Sequence, residues 1–347
     1  MKLADVVSNG IKYYSKDDFD TALKLFKKAI PLANNYNDFG IIYYNIGLCH
    51  FSKMNYVAAE KSFEKSFINY DYLSSGYELS MTKLFLNKLE EGIEYYKYRY
   101  YGNRKSFPDL PLKMAKNLDD LKDKKVLVLN EQGFGDEILF SRSIDKISKL
   151  ASEVTYQIYD EMFDLFNDNF SSDNLKLFTD RTLSYDLVNS FDVWIPSGDL
   201  FFLFILRDGF DYKELNSNII QNDSENIKVG LTFKTNVLSK NTEMRSMPLD
   251  KIEPVLNRYG IEVFSLQKDY SNEWINKTEI NSFKDTSDII DRLDYVVTVD
   301  TVVAHLSGMK NKKTILIYDK YIDWRWNYNF YKSIELVHIL ELGKYFE

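Results

Sequence analysis

Residues 125–136 read KVLVLNEQGFGD, a short apolar strand that runs into a turn holding two glycines. A run with so little polar interruption suits a strand covered on both faces. An amphipathic helical pattern follows, from Ile138 to about Leu150. Further strand patterns stand at 153–159, 174–178 and 191–195, with helical stretches between them. A second series opens at Ile227 with IKVGLTF. It continues as helix 249–258, strand 261–266, helix 286–292, strand 294–299, helix 302–309 and strand 313–318. Strands alternating with helices predict parallel α/β sheets. Two such series predict two Rossmann-like halves, 124–210 and 211–347, facing each other across a cleft. The polar segment Asp208–Glu225 reads as the hinge between them.

Upstream the pattern is helical throughout, and it repeats. The spacing from Gly10 to Ala22 to Phe26 recurs from Gly47 to Ala59 to Phe63, and a degenerate third copy has Ser80, Gly92 and Tyr96. Successive copies lie near the period of about 34 residues that marks a tetratricopeptide repeat. The physics suits that reading, because small residues let two helices approach while an aromatic ring fills the groove between them. Residues 1–105 are therefore expected to form a tetratricopeptide helical domain. Residues 106–123, with Pro108 and Pro111, form a linker.

Composition narrows the function. The chain has 347 residues, enough for two or three domains, and one cysteine, Cys49. A single cysteine excludes an internal disulfide framework and any Cys-rich metal site. His50, His305 and His338 are far apart and form no metal-binding motif, so no metal is expected. The net charge of −8 argues against nucleic acid as a partner. The longest apolar run, Phe201–Leu206, is far too short to span a membrane. A soluble, cytoplasmic protein is expected.

Candidate chemistry gathers at strand tips, where open α/β sheets bind ligands. Gly133 and Gly135 permit close backbone approach and positive φ. The helix after them is expected to open at Glu137–Ile138 and to offer free N–H groups to an anion. The segment fails as a dinucleotide fingerprint, since Ile138 stands where a third glycine is needed. Asp136 reads as the helix N-cap, as a general base at the cleft floor, or as both. The strand at 294–299 ends in Asp300 and Thr301 and feeds a second helix N-terminus, which suits a phosphate. Thr301 is the natural N-cap there. Asp300 has the wrong sign for phosphate and reads as an orienting group or as a helix cap. His305 lies one turn on, on the Thr301 face. Lys234, Lys240 and Arg245 occupy a polar loop that either clamps a diphosphate or is a solvated surface. In Asp323-Trp324-Arg325-Trp326 the tryptophans read as anchors across both halves. Arg325 reads first as packing and second as the partner of a carboxylate or as a group that reaches the cleft.

Taken together, the helical repeats, EQGFGD, VDTVVAHLSG and DWRW resemble tetratricopeptide-repeat proteins that carry a glycosyltransferase domain. That domain is similar to the heptosyltransferase family and, more distantly, to O-GlcNAc transferase. Gly230-Leu231, Arg245-Ser246 and Ser265-Leu266-Gln267 match weaker positions of the family. The resemblance implies a GT-B fold, with the acceptor on the first half and a nucleotide-sugar donor held mainly by the second. It also implies inverting transfer without metal or cofactor, the nucleotide-sugar being a co-substrate. Asp136 maps onto the proposed base. Asp300, Thr301 and His305 map near the donor phosphates, and Gly133, Gly135, Lys234, Lys240, Arg245 and Gln267 complete the expected donor site. The chain departs from the family at Pro196–Asp199, at Thr232-Phe233 and at Thr235-Asn236. The acceptor would be a protein or glycan, met through the repeats. The alternative is a non-catalytic tetratricopeptide scaffold with a degenerate nucleotide-binding α/β domain.

Overall fold

The computed structural model describes residues 2–100, 107, 109–210, 214–217, 225–235 and 242–346, the side chains of 242 and 243 excepted. Two compact units result, Met1–Asp109 and Leu110–Glu347.

The first unit is made of helices that pack in sequential pairs: α1 (Leu3–Tyr14) with α2 (Phe19–Ala29), α3 (Tyr36–Ser52) with α4 (Tyr56–Glu64), and α5 (Ser74–Phe85) with α6 (Leu89–Tyr96). The side chains of Asp18, Asn35 and Asn55 cap α2, α3 and α4 by accepting the N–H of Thr21, Asp38 and Ala58. The repeated glycines have a steric reason. A Cβ on Gly10 would stand 2.5 Å from the Phe26 ring, and one on Gly47 would stand 2.5 Å from the Phe63 ring. The third pair solves the approach differently, because the Ser80 hydroxyl donates to the Gly92 carbonyl at 2.7 Å. The buried ammonium of Lys83 reaches Glu60 at 2.9 Å, Glu64 at 3.0 Å and Glu91 at 2.7 Å, which ties α5 to both neighbouring helices.

The second unit holds two parallel sheets. The first comprises β1 (Lys125–Leu129), α7 (Phe134–Phe140), α8 (Ile144–Leu150), β2 (Glu153–Gln157), α9 (Phe163–Asn169), β3 (Leu175–Phe178), α10 (Tyr185–Asn189), β4 (Val193–Pro196) and α11 (Ser197–Asp208). Its strand order is β3-β2-β1-β4. The second comprises β5 (Ile227–Thr232), α12 (Thr242–Arg245), α13 (Glu253–Leu256), β6 (Ile261–Ser265), β7 (Ile275–Asn276), α14 (Phe283–Asp291), β8 (Tyr295–Thr298), α15 (Val302–Met309), β9 (Thr314–Tyr318) and β10 (Ile334–His338). Its order is β10-β9-β8-β5-β6-β7. Val229, Leu231, Val263, Val297 and Ile315 form the heart of its core. Among the described residues no helix is long and apolar enough to cross a membrane.

Two expectations change. The helix after the first strand opens at Phe134, not at Glu137–Ile138, so both glycines belong to its start. Helix 249–258 shrinks to a 3₁₀ turn and the four residues of α13, with Pro254 at the start of the latter. The apolar run at 201–206 is the middle of α11. That helix begins directly after β4, and most of it is buried, so it shows no amphipathic period.

The segment after β9 crosses between the sheets. Trp324, 1% exposed, packs on Phe202 of α11 (ring centroids 6.3 Å apart), and Phe330 packs on Phe201 (5.7 Å). Trp326 instead covers His305 of α15, at 4.6 Å. The tryptophans thus divide between the two halves, as their anchoring role requires.

Candidate active site

A cleft of about 510 Å³ opens between the sheets. Its walls are residues that follow the C-terminal ends of β1, β2, β5, β6, β8 and β9, joined by Arg245 and the start of α14. That is where parallel sheets offer unpaired N–H groups and helix N-termini to a ligand.

On the first wall, the left-handed backbone falls on Gln132 (φ 64°), whereas Gly133 is extended (φ −101°). The expectation of positive φ at Gly133 and Gly135 is thereby corrected. Gly135 is needed for a close approach: a Cβ there would stand 2.8 Å from Cδ2 of His305 in α15. Gly133 is the residue that caps α7. Asp136 is therefore not the N-cap but the third residue of the helix, its Oδ2 accepting the Gly133 N–H at 3.4 Å. Its other oxygen is bound by Arg325. The Arg325 Nη2 donates to Asp136 Oδ1 and, at 3.1 Å, to Gln132 Oε1, while Nη1 donates to Asp323 Oδ1 at 2.8 Å. The packing role expected first for Arg325 is thus joined by the carboxylate pairing expected second. Phe134 bridges the cleft, 4.7 Å from the Tyr159 ring and 5.0 Å from that of Phe283.

On the second wall, Thr301 occupies the N-cap position of α15, but its hydroxyl makes no capping bond and lies 3.2 Å from Thr298 Oγ1. The N-terminal turn of α15 therefore presents N–H groups at Val302 and Val303 to the cleft. Asp300 is 9% exposed; the Arg245 Nε stands 2.9 Å from its Oδ2, and Arg245 Nη2 donates to its backbone carbonyl at 2.7 Å. Burial and the neighbouring Asp323 carboxylate push the Asp300 carboxyl up to about 6, against the pull of Arg245. Gln267 lines the cleft, yet its Oε1 already accepts the N–H groups of Phe233 and Lys234 (3.1 and 2.9 Å), so it braces the β5 tip. The Lys234 ammonium lies 5.6 Å from the Phe233 ring, and no salt bridge joins Lys234 to a carboxylate among the described residues. Lys240 lies outside the described residues.

His305 is 4% exposed; its Nδ1 pairs with the Tyr331 hydroxyl at 2.8 Å. Burial, then Arg325, Arg245 and Arg142, hold it well below the usual histidine range, so it is neutral at pH 7. A neutral, enclosed imidazole offers an edge to the cleft wall rather than a charge to a phosphate.

Glu137, missed by sequence reasoning, supports the first wall from behind. It is 1% exposed, and its Oε1 accepts from Asn130 Nδ2 (3.1 Å) and from the Tyr159 N–H (2.9 Å). Burial pushes its carboxyl from 4.5 up to about 7, against those bonds. A raised pKa in the folded state means stability that is full below pH 4.5 and lost as pH rises through about 7. Glu137→Gln removes that loss. Between pH 4 and pH 8 the variant is expected to gain on the parent by roughly 3 kcal/mol. Urea melts across that range measure it; parallel pH profiles for the two proteins would rule the assignment out.

The sequence matches no protein-family model and no curated protein. Among solved structures it is similar to a glycosyl transferase family 9 protein from Veillonella parvula, at 12% identity and a TM-score of 0.46, over 65% of this chain and 90% of that one. It is also similar to E. coli ADP-heptose lps heptosyltransferase II (11%, TM-score 0.45, 61% and 90%). A mutant O-GlcNAc transferase of Thermobaculum terrenum aligns over 99% of this chain and 88% of its own, at 10% identity and a TM-score of 0.35. At these scores the assignment of the site rests on its own geometry.

Proposed function

We propose that the chain is a GT-B glycosyltransferase that moves a sugar from a nucleotide-sugar donor to an acceptor hydroxyl. The observation that carries this reading is the pairing, in one cleft, of a carboxylate with an anion-ready helix terminus. Asp136 stands on one wall, and the N-terminus of α15, with Thr301, stands on the other. The donor diphosphate lies against the N–H groups of Val302 and Val303 and the Thr301 hydroxyl, with the Lys234 and Lys268 ammonium groups on the same side. The acceptor oxygen attacks the anomeric carbon while the bond to the diphosphate breaks. Asp136 takes the acceptor's proton, and the charge that develops on the leaving oxygen meets the helix terminus. The helix pairs of the first unit act as tetratricopeptide-like repeats for a protein or glycan acceptor. The duplicated glycine–phenylalanine contacts support that part.

Calorimetric titration with a panel of nucleoside diphosphates tests the donor site without needing the acceptor. At least one is expected to bind, and Thr301→Val is expected to weaken it about ten- to a hundredfold, the worth of a hydrogen bond to a charged group. If no nucleoside diphosphate binds, the reading fails and a non-catalytic scaffold takes its place.

A further inference from the structure

Among the described residues, four cations and four anions line the cleft: Lys234, Arg245, Lys268 and Arg325 against Asp136, Glu161, Asp300 and Asp323. A diphosphate entering this cleft meets two guanidinium groups besides the ammonium groups and the α15 terminus, and both guanidinium groups are engaged with carboxylates. They are engaged differently. Arg245 donates from Nη2 to the backbone carbonyl of Asp300 and pairs through Nε with the carboxylate of the same residue, and so is fixed to the β8 tip. Arg325 is split between the two walls. Its Nη1 is held by Asp323, two residues away, and its plane lies 4.6 Å over the Trp324 ring. Its Nη2 reaches across the cleft to Asp136 and Gln132. One end is anchored on its own wall, and the other can change partner without losing that anchor.

We propose that Arg325 is a positioning residue that exchanges Asp136 for the donor's diphosphate, so that arrival of the donor uncovers the base. This rests on the glycosyltransferase reading above. Without ligand, the guanidinium holds Oδ1 of the carboxylate that is to take the acceptor's proton. With a diphosphate in the cleft, the Nη2 end turns to a phosphate oxygen, a charge-assisted acceptor that competes with the carboxylate for it. Asp136 Oδ1 is then open to the acceptor hydroxyl. The order of events follows: donor first, acceptor second. A sugar acceptor arriving early meets a carboxylate already engaged.

Competition for one guanidinium has a signature in binding. Asp136 and the diphosphate oppose each other, so removing the carboxylate's charge strengthens the ligand. Asp136→Asn is expected to bind a nucleoside diphosphate, and inorganic pyrophosphate, about tenfold more tightly than the parent. In an Arg325→Gln background the same change is expected to give no gain. If Arg325→Gln does not fold, Arg325→Lys serves, because one ammonium cannot span both carboxylates and the gain is expected to shrink. A purely structural ion pair leaves only the relief of charge repulsion, so Asp136→Asn then gives the same gain in the Arg325→Gln background as in the parent, or no gain at all. That result, in a parent that binds the ligand, overturns the exchange and leaves the glycosyltransferase reading standing. If neither nucleoside diphosphate nor pyrophosphate binds the parent, both fall together.

Discussion

Asp136→Asn is expected to lower sugar transfer by about 10²–10⁴-fold, the usual loss when a general base is removed. The variant should still fold. An asparagine oxygen can accept the Gly133 N–H as the carboxylate does, so the turn that opens α7 keeps its cap. The site is only partly enclosed, with the Asp136 side chain 18% exposed, so the change leaves no deeply buried group unpaired. Initial rates with donor and acceptor both saturating separate this loss from any change in donor affinity, which is expected to move the other way. The contrast is informative: turnover collapses while the ligand binds better. Turnover within a few-fold of the parent would leave Asp136 as a structural residue of the α7 turn.

Trp324→Ala is expected to destabilise the second unit by about 3–5 kcal/mol, the range for deleting a large aromatic from a well-packed site. The indole is 1% exposed and lies among Phe202, Tyr328 and Phe330, at centroid distances of 6.3, 6.1 and 6.5 Å. In a unit of this size such a loss lowers the melting temperature by roughly 10 °C. All four tryptophans, Trp194, Trp274, Trp324 and Trp326, lie in the second unit, so selectively excited tryptophan fluorescence follows its unfolding alone. Trp324→Phe should recover most of the difference. A melting temperature within about 2 °C of the parent for Trp324→Ala would show that the segment is not what joins the halves.

Much of the fold was legible because its signals are local. Helix 302–309 is found where the pattern places it, since an apolar strand, a threonine and a helical run stand in succession. The glycine–phenylalanine register of the first unit was legible for the same reason. Other elements were hidden by burial. A helix such as α11, enclosed on most of its surface, has no polar stripe to reveal its period. The edge strand β10, IELVH, is too short and mixed to stand out before it pairs with β9. The candidate site was legible by position but not by partnership. Asp136 could be placed at a strand tip from the glycines beside it. That its charge would be met by Arg325, 189 positions away, could not be read, because nothing in either segment encodes the crossing. Gln267 was a reasonable ligand contact until its oxygen was found bracing two backbone N–H groups. Asp300 looked wrong for a phosphate site because Arg245, which offsets its charge, comes from a different loop.

The segment from Trp324 to Tyr331 also bears on how the chain is assembled during synthesis. The first sheet and α11 leave the ribosome more than a hundred residues before the rings that cover Phe201 and Phe202. For that interval α11 carries an uncovered aromatic face, the kind of surface that chaperones hold and that nascent chains aggregate through. The first half is accordingly expected not to stand free as a domain. Expressed alone it should require a detergent or a chaperone to stay in solution, whereas supplying the second half on a separate chain should restore it. A cut between α11 and β5 therefore divides the sequence but not the folding unit.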